Sequence, residues 1–385
     1  MSPPIAIVGG GPAGLALAAC LTQRGIDYIV YERSSDGSKP YGGCLDLHVG
    51  SGQRAMREGG VFDEFKKSSR DGDATIHLVY DHHGKHLFSW GEGRDSPEID
   101  RWQLRRVLLT GIPKEKVVWS KALKSADRDE NGKIVLKFED GTTESGFQLV
   151  VGADGSASKI RHLVTTAKPV YSGKTYITTK IHPGNPYYEK MKSICKMGSM
   201  VAMGKGKHMF NSRQGDGHYR IDLGIEVPVD WTTSGHVDLS NFDEAKKFFL
   251  QESFYGAYSP ELKDIIQYSE GPFRPWIMYH MPTDELNWSP CADVTLIGDA
   301  AHVTIPLVGD GVNCAMRDSV ILADMIKQYG LTQKAITEYE KEMFPYAIDV
   351  ITRSNASGKL FFGESAEPFI QMMTQSPLIG VADHH

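Results

Sequence analysis

The sequence predicts an α/β fold: a Rossmann-like domain, an inserted β-sheet domain and a long C-terminal helix. A short apolar run, a glycine-rich turn and a helical pattern occupy residues 5–24, as in a βαβ unit. The middle of the chain changes to alternating strand patterns, and an apolar strand of the first type returns at 293–298. A helical pattern then covers 333 to about 360. The first domain is therefore expected to be discontinuous.

The domain boundaries follow from these changes of pattern. The expected units are 1–172 with 275–332 for the nucleotide-binding domain, 173–274 for the inserted substrate domain, and 333–385 for a bridging helix and tail.

Composition narrows the class of protein and partner. Of 385 residues, 41% are hydrophobic and 23% charged, as in globular domains. A formal net charge of −6 argues against nucleic acid or an anionic membrane as the main partner. Five cysteines without a Cys-x-x-Cys pair, no signal-like N-terminus and no run of 18 apolar residues predict a cytoplasmic protein without a membrane span. A monomer is expected, although the last helix could form a dimer contact.

The stretch IAIVGGGPAGLALA has the spacing of a dinucleotide-binding loop. Its glycines allow a tight turn, close approach of backbone amides to a pyrophosphate, and packing of helix on strand. Proline suits the first helical turn, where its missing N–H costs nothing. The loop residues expected to line the pyrophosphate are Gly9, Gly11, Pro12, Ala13 and Gly14. Glu32 ends the next strand, where a carboxylate can hold a ribose hydroxyl.

Two later segments decide between a nicotinamide and a flavin. VVGADGSASKIR ends a strand at Asp154 and reaches Arg161, although it could be a plain strand–turn–helix corner. In LIGDAAH, Asp299 at a strand end can accept a ribityl hydroxyl. The backbone amides of Gly311, Val312 and Asn313 are expected to form the first turn of a helix. The positive end of that helix would suit negative charge on a reduced isoalloxazine. A nicotinamide dehydrogenase needs neither segment, so FAD is favoured.

Together, GGGPAG with Glu32-Arg33, ADG with Arg161, and GDAAH…P…GDGVN resemble the single-chain FAD-dependent aromatic hydroxylases of the p-hydroxybenzoate hydroxylase type. The motifs occur in family order from residue 5 to about 320. GGCLDLHVGSGQ with EIDR is most similar to the tetracycline-inactivating flavin monooxygenases. The resemblance implies an NADPH-consuming monooxygenase that uses O2, through a flavin C4a-hydroperoxide, to hydroxylate an electron-rich phenolic, enolic or polyketide substrate.

The resemblance also implies roles for residues outside the glycine loop. The further positions matched to FAD contacts are Arg33, Gly43, Asp46, Arg101, Asp299, Pro306 and Gly309. Arg101 could instead be a solvated arginine at a helix start. Lys39 matches an arginine near the NADPH route but could be a plain surface lysine, and Asp154 with Arg161 would either link flavin and NADPH or brace the fold. No catalytic base and no metal site are expected.

Some positions depart from the family pattern. Thr178, Ser199 and Asp222 fall where the tetracycline-inactivating enzymes have a glutamine, an arginine and a histidine that hold the substrate. All three differ in type, so the resemblance does not carry tetracycline over as the substrate. Asp310 stands where the family has a neutral glutamine, and we expect its side chain to face solvent. Two other functions are alternatives to a monooxygenase: an FAD-dependent reductase or dehydrogenase on the same fold, and a non-enzymatic flavin-binding regulator.

Overall fold

The computed structural model describes residues 4–37 and 42–375. In chain order its strands are β1 (Ile5–Val8), β2 (Ile29–Tyr31), β3 (Cys44–Asp46), β4 (His77–Asp81), β5 (His86–Trp90), β6 (Glu98–Asp100), β7 (Val117–Val118), β8 (Leu123–Arg128), β9 (Ile134–Phe138), β10 (Thr143–Ser145), β11 (Leu149–Gly152), β12 (Val170–Ile181), β13 (Ser199–Gly204), β14 (Lys207–Arg213), β15 (Tyr219–Glu226), β16 (Glu270–His280) and β17 (Val294–Leu296). Its helices are α1 (Pro12–Gln23), α2 (Gly52–Glu58), α3 (Phe62–Ser68), α4 (Arg101–Thr110), α5 (Tyr188–Cys195), α6 (Phe242–Phe249), α7 (Pro260–Gln267), α8 (Asp299–His302), α9 (Gly311–Tyr329), α10 (Gln333–Phe361) and α11 (Glu367–Gln375).

Five parallel strands form the predicted nucleotide-binding sheet, in the order β17-β11-β1-β2-β7. Ala6 of β1 pairs with Val150 on one side and Ile29 on the other. All four residues of β1 are buried, as expected for a central parallel strand. Helix α1 packs against α9 and α4, and the antiparallel sheet β10-β9-β8 packs against Tyr31 through Phe138, with ring centroids 4.9 Å apart. This confirms the Rossmann-like part of the fold.

A seven-stranded sheet in the order β16-β12-β15-β14-β13-β4-β5 forms the second layer. One face is covered by α5, α6 and α7 and forms an apolar core. The opposite face carries Tyr176, Val201 and Met203, which pack against Ile305 and Leu307 of the first domain. Strands β4 and β5 come from residues that the sequence placed in the nucleotide-binding part, so the two units share more chain than the pattern indicated. The proposed domain boundaries stay a prediction.

Helix α10 contacts both sheets, as expected for a bridging helix. Along its length it packs against α9. Near its end, a Cβ on Gly358 would lie 3.1 Å from Ile305 of the first domain and 3.4 Å from Lys174 of β12. The rings of Phe361 and Phe362 meet the edge of His208 on β14 at centroid distances of 5.2 and 4.6 Å. In residues 4–37 and 42–375, no helix combines the length and apolar composition needed to span a membrane.

The spacing of Asp100 and Gln103 at the start of α4 is that of a capping box, but the structure shows a different arrangement. Asp100 directly precedes the helix, but its carboxylate does not cap it. Instead the carboxylate accepts hydrogen bonds from Arg70 (2.8 Å) and from the backbone N–H of Gly215 (3.0 Å). A tertiary contact has therefore taken the carboxylate that a local motif would have used.

Candidate functional site

Most predicted cofactor residues meet at the carboxyl edge of the parallel sheet. The glycine loop follows β1, Glu32 follows β2, Asp154 lies just beyond β11, and Asp299 lies just beyond β17. Ligands of open α/β sheets bind at this edge, because the loops after parallel strands converge there. The fold thus places these side chains around one region.

At two glycines of the loop a side chain would clash with the protein backbone, and at a third it would not. Gly9 has φ +115°, and a Cβ there would lie 2.2 Å from the backbone O of Ala153. A Cβ on Gly14 would lie 2.0 Å from the backbone O of Gly9. Gly11, with φ −81°, would place a Cβ where no described protein atom lies within 4 Å. Its missing side chain keeps open the space before the first N–H groups of α1, where an anion binds well.

Pro12 and Ala13 form the first turn of α1 beside this space, with proline at the start as predicted. Glu32 is buried at the end of β2: Oε2 accepts from the backbone N–H of Gly10 at 2.6 Å and Oε1 from that of Ser34 at 2.9 Å. These bonds hold the carboxylate beside the loop and fit the predicted place for a ribose. Arg33 is exposed, and Lys39 lies outside the described residues.

Arg101 and Asp299 lie in a cleft at the sheet edge. Asp299 is exposed as a residue, but desolvation by the surrounding protein raises the pKa of its carboxyl. The positive charges of His302, Arg101 and Arg161 lower this pKa but do not outweigh the desolvation. Burial lowers the pKa of Arg101, and its Nε has no hydrogen-bond partner among the described residues. A desolvated guanidinium whose Nε lacks a partner fits a phosphate-bearing ligand.

Arg161 holds the turn that begins α8. Its Nε donates to the backbone O of Ala300 at 2.7 Å, and its Nη2 donates to that of Asp299 at 3.0 Å. These bonds favour the bracing alternative for Arg161. The Oδ2 of Asp154 accepts from the backbone N–H of Lys159 at 2.7 Å, while burial raises the pKa of this carboxyl. A role for either residue toward NADPH stays a prediction.

The loop after β3 is fastened to the start of α9 by Asn313. Its Oδ1 accepts from the backbone N–H groups of His48 (2.9 Å) and Gly52 (3.2 Å), and its Nδ2 donates to the backbone O of Asp46 (2.9 Å). The side chain of Asn313 therefore binds protein. A Cβ on Gly309 would lie 3.5 Å from Oδ1 of Asp46, so loop and helix start are in contact.

The rest of this segment remains open to a ligand. Pro306 and Gly309 are exposed, and Gly311 and Val312 at the start of α9 are half-buried. Binding of the flavin at this helix start stays a prediction.

The expectation that Asp310 faces solvent is wrong. Its side chain is buried, with Oδ1 3.1 Å from Nδ1 of His48 and Oδ2 accepting from Nη2 of Arg353 at 2.8 Å. His48 and the guanidinium of Arg353, from distant parts of the chain, hold the carboxylate inward. Nothing in the sequence around Asp310 indicates them.

The three predicted substrate positions lie on one face of the seven-stranded sheet, here called the cleft face. It is defined by Tyr176, Thr178, Val201, Phe210 and Asp222 and faces Ile305 and Leu307. Thr178 pairs directly with Asp222 across β12 and β15.

These polar residues are bonded to one another and to residues that the sequence reasoning missed. Oγ1 of Thr178 donates to Asp222 at 2.5 Å, and Arg220 donates to the same carboxylate from Nε at 2.8 Å and Nη2 at 2.9 Å. Ser199 bonds Nδ1 of His77. The signal for Arg220 was present, because polar residues alternate with Ile221 and Leu223 in β15, but the pattern does not show which face meets the cofactor.

Arg220 connects the cleft face to the cofactor side. A Cβ on Gly43, in the loop before β3, would lie 3.2 Å from Cδ of Arg220. The guanidinium of Arg220 also lies over the ring of Trp276, 5.7 Å from its centroid. The site is thus a cleft between the sheet edge of one domain and the sheet face of the other.

Comparison with known proteins identifies the family. The sequence profile described as "FAD binding domain" matches residues 3–194 and 273–354, more than half of the chain. The chain belongs to this family. The curated relatives of the chain establish that this protein is a flavin monooxygenase. Monooxygenase penA of Penicillium thymicola is 28% identical over 87% of this chain and 87% of its own length, and the kynurenine 3-monooxygenase of Flavobacterium psychrophilum is 28% identical over 90% and 77%.

Solved structures confirm the fold of this flavin monooxygenase. Klebsiella pneumoniae HpxO, complexed with FAD and uric acid, superposes with a TM-score of 0.77 at 20% identity, covering 97% of this chain and 93% of its own. The tetracycline destructase Tet(55) gives a TM-score of 0.76 at 18% identity, covering 100% and 97%. The resemblance to aromatic hydroxylases is thereby confirmed, and the resemblance to tetracycline-inactivating enzymes is confirmed at the level of the fold.

Proposed function

We propose that this flavin monooxygenase uses NADPH and O2 to hydroxylate an electron-rich ring carbon of a phenolic or enolic substrate. The observation that carries the proposal is the contact of Arg220, on the cleft face, with the loop at Gly43. A ring bound against the cleft face would lie beside the predicted flavin loops. The identity of the reductant and of the substrate remain predictions. The cytoplasmic location and the monomeric state also remain predictions.

FAD fits the residues at the sheet edge. The open N-terminus of α1 at Gly11 and the desolvated Arg101 would hold its pyrophosphate, and Asp299 would accept from ribityl hydroxyls. Glu32, already oriented by Gly10, would hold the adenosine ribose. When bound, FAD supplies the redox chemistry that amino-acid side chains lack: it accepts a hydride and activates O2 for transfer of one oxygen atom.

The cleft face supplies substrate binding and orientation. Apolar side chains from both domains, including Val201, Ile305 and Leu307, would pack on a ring and exclude water. A ring hydroxyl can donate to Asp222, and once ionised it can accept from Arg220. Ionisation raises the electron density of the ring, which favours attack on an electrophilic oxygen. Nearby Thr178 fixes the pair by bonding Asp222.

The substrates named for several relatives support a ring substrate. These relatives include kynurenine 3-monooxygenase and 3-amino-4-hydroxybenzoate 2-monooxygenase among the curated proteins, and a uric acid complex and tetracycline destructases among the structures. All of these name a cyclic compound. A phenol or enol within a fused ring, such as a polyketide, is therefore the class to test first.

The test is a screen of phenols, polyketides and tetracyclines for stimulated NADPH oxidation with a mass gain of one oxygen from ¹⁸O2. Incorporation of ¹⁸O supports the proposal, whereas NADPH oxidation without it would indicate a reductase. FAD binding with no NADPH oxidation on any ring would favour a regulator. Arg220→Met should raise KM for the hit by more than tenfold. The matched control Arg128→Met, whose exposed guanidinium pairs with Asp293, should change it little.

A further inference from the structure

His48 lies between two carboxylates at the junction of the β3 loop and α9. Its Nε2 is 3.0 Å from Oδ2 of Asp46, and its Nδ1 is 3.1 Å from Oδ1 of Asp310. Ionised carboxylates only accept hydrogen bonds, so both ring nitrogens must donate. A neutral imidazole carries one N–H, and only the imidazolium satisfies both contacts. The geometry therefore makes His48 a cation.

The surrounding charges agree with this protonation state. Burial lowers the pKa of His48, but hydrogen bonds to Asp310 and Asp46 outweigh it and raise the pKa to about 10. The pKa values of Asp46 and Asp310 are lowered, since His48 bonds outweigh their burial. Arg353 of α10 also bonds Asp310 and is itself bonded to Asp349 at 2.7 Å. Asp46 also faces His77 and Arg94, and it pairs with Glu98 of β6, where burial raises the pKa of the carboxyl to about 7, toward the neutral acid.

This cluster lies where the flavin is expected. Asp310 directly precedes α9, and Gly311, the first residue of that helix, is half-buried. Asp46 contacts the same turn at Gly309. Two uncompensated carboxylates at this position would oppose the positive end of the helix and repel any anion bound there. His48 and Arg353 remove that repulsion.

We propose that His48 is a positioning residue, a permanent imidazolium that together with Arg353 neutralises Asp46 and Asp310, so that the start of α9 can stabilise negative charge on reduced FAD. The proposal rests on the placement of the flavin ring at this turn. It concerns the chain's own charges and requires no proton transfer by His48 during turnover.

The decisive measurement is the midpoint potential of bound FAD in wild type, His48→Gln and Asp310→Asn, without substrate. Removing the cation should weaken binding of reduced relative to oxidised FAD by about tenfold, which lowers a two-electron potential by about 30 mV. Removing a carboxylate should raise the potential by a similar amount. The control His86→Gln, an exposed histidine on β5, should leave it unchanged. Unchanged potentials, or two shifts in the same direction, would overturn the proposal, because a merely structural cluster predicts no opposite shifts.

A second measurement needs no variant. The imidazole nitrogen shifts of His48 at pH 8, assigned by NMR on labelled protein, should show two protonated nitrogens. A neutral tautomer at pH 8 would overturn the proposal even if His48→Gln failed to fold. Neither experiment uses substrate or NADPH, so an error in the proposed substrate class cannot produce either negative result.

Discussion

Replacing Gly11 with alanine should separate cofactor binding from folding. The new Cβ meets no described protein atom within 4 Å, and φ −81° is open to any residue. Lower chain entropy in the unfolded state favours the variant by about 0.4–1 kcal/mol, while alanine at a helix N-cap costs a similar amount. The free energy of unfolding of the apoprotein should therefore change by less than about 1 kcal/mol.

The same methyl group stands where the pyrophosphate must approach the amides of α1. Loss of one hydrogen bond to a charged group costs about 1.5–3 kcal/mol, so FAD affinity should fall by roughly ten- to a hundredfold. Equilibrium FAD titration and urea unfolding of the apoprotein measure the two effects. In the control Gly14→Ala, a Cβ 2.0 Å from the O of Gly9 should instead destabilise the apoprotein by about 1–3 kcal/mol. Equal destabilisation by both variants, or normal FAD binding by Gly11→Ala, would refute the reasoning.

Three further predictions follow from single side chains. Asp299→Ala, at an exposed carboxylate, should weaken FAD binding by roughly ten- to a hundredfold in titration without lowering Tm; unchanged affinity would show that it contacts no cofactor. Arg161→Gln should lower the free energy of unfolding by about 2–3 kcal/mol, because two donors to backbone carbonyls are lost, and a change below about 0.5 kcal/mol would contradict the bracing role. Burial raises the pKa of Glu340 from 4.5 to about 7. Its protonated form is therefore favoured in the folded state, and the contribution of Glu340 to stability should fall by at most about 3 kcal/mol as pH rises from about 4.5 to 7. The Glu340→Gln variant should lack this loss. If the free energies of unfolding of wild type and variant, measured in urea, change in parallel with pH, the prediction is disproved.

The parts of the site that the sequence predicted are those set by local pattern. The glycine loop, Glu32 and Asp299 each follow directly on a short buried strand, and the ends of parallel strands must meet at one edge. Thr178 and Asp222 were placed in the substrate region only through the resemblance to the tetracycline-inactivating enzymes, and their direct pairing across β12 and β15 was seen first in the structure. What could not be predicted are the partners of side chains. Asp310 is turned inward by Arg353, 43 residues further along the chain.

The same limit explains why the individual contacts of the predicted bridging helix α10 became visible only in the structure. Arg353 on this helix bonds Asp310 at the start of α9, and one residue later Oγ of Ser354 donates to the backbone O of Ile305. Two turns further on, Phe361 and Phe362 pack on His208 of the cleft face. One rigid helix therefore contacts both the turn expected to carry the flavin and the sheet expected to carry the substrate. These contacts lie within about three turns at the end of α10. The distance between the flavin side and the substrate side of the cleft is therefore set by a continuous helix and not by a flexible loop.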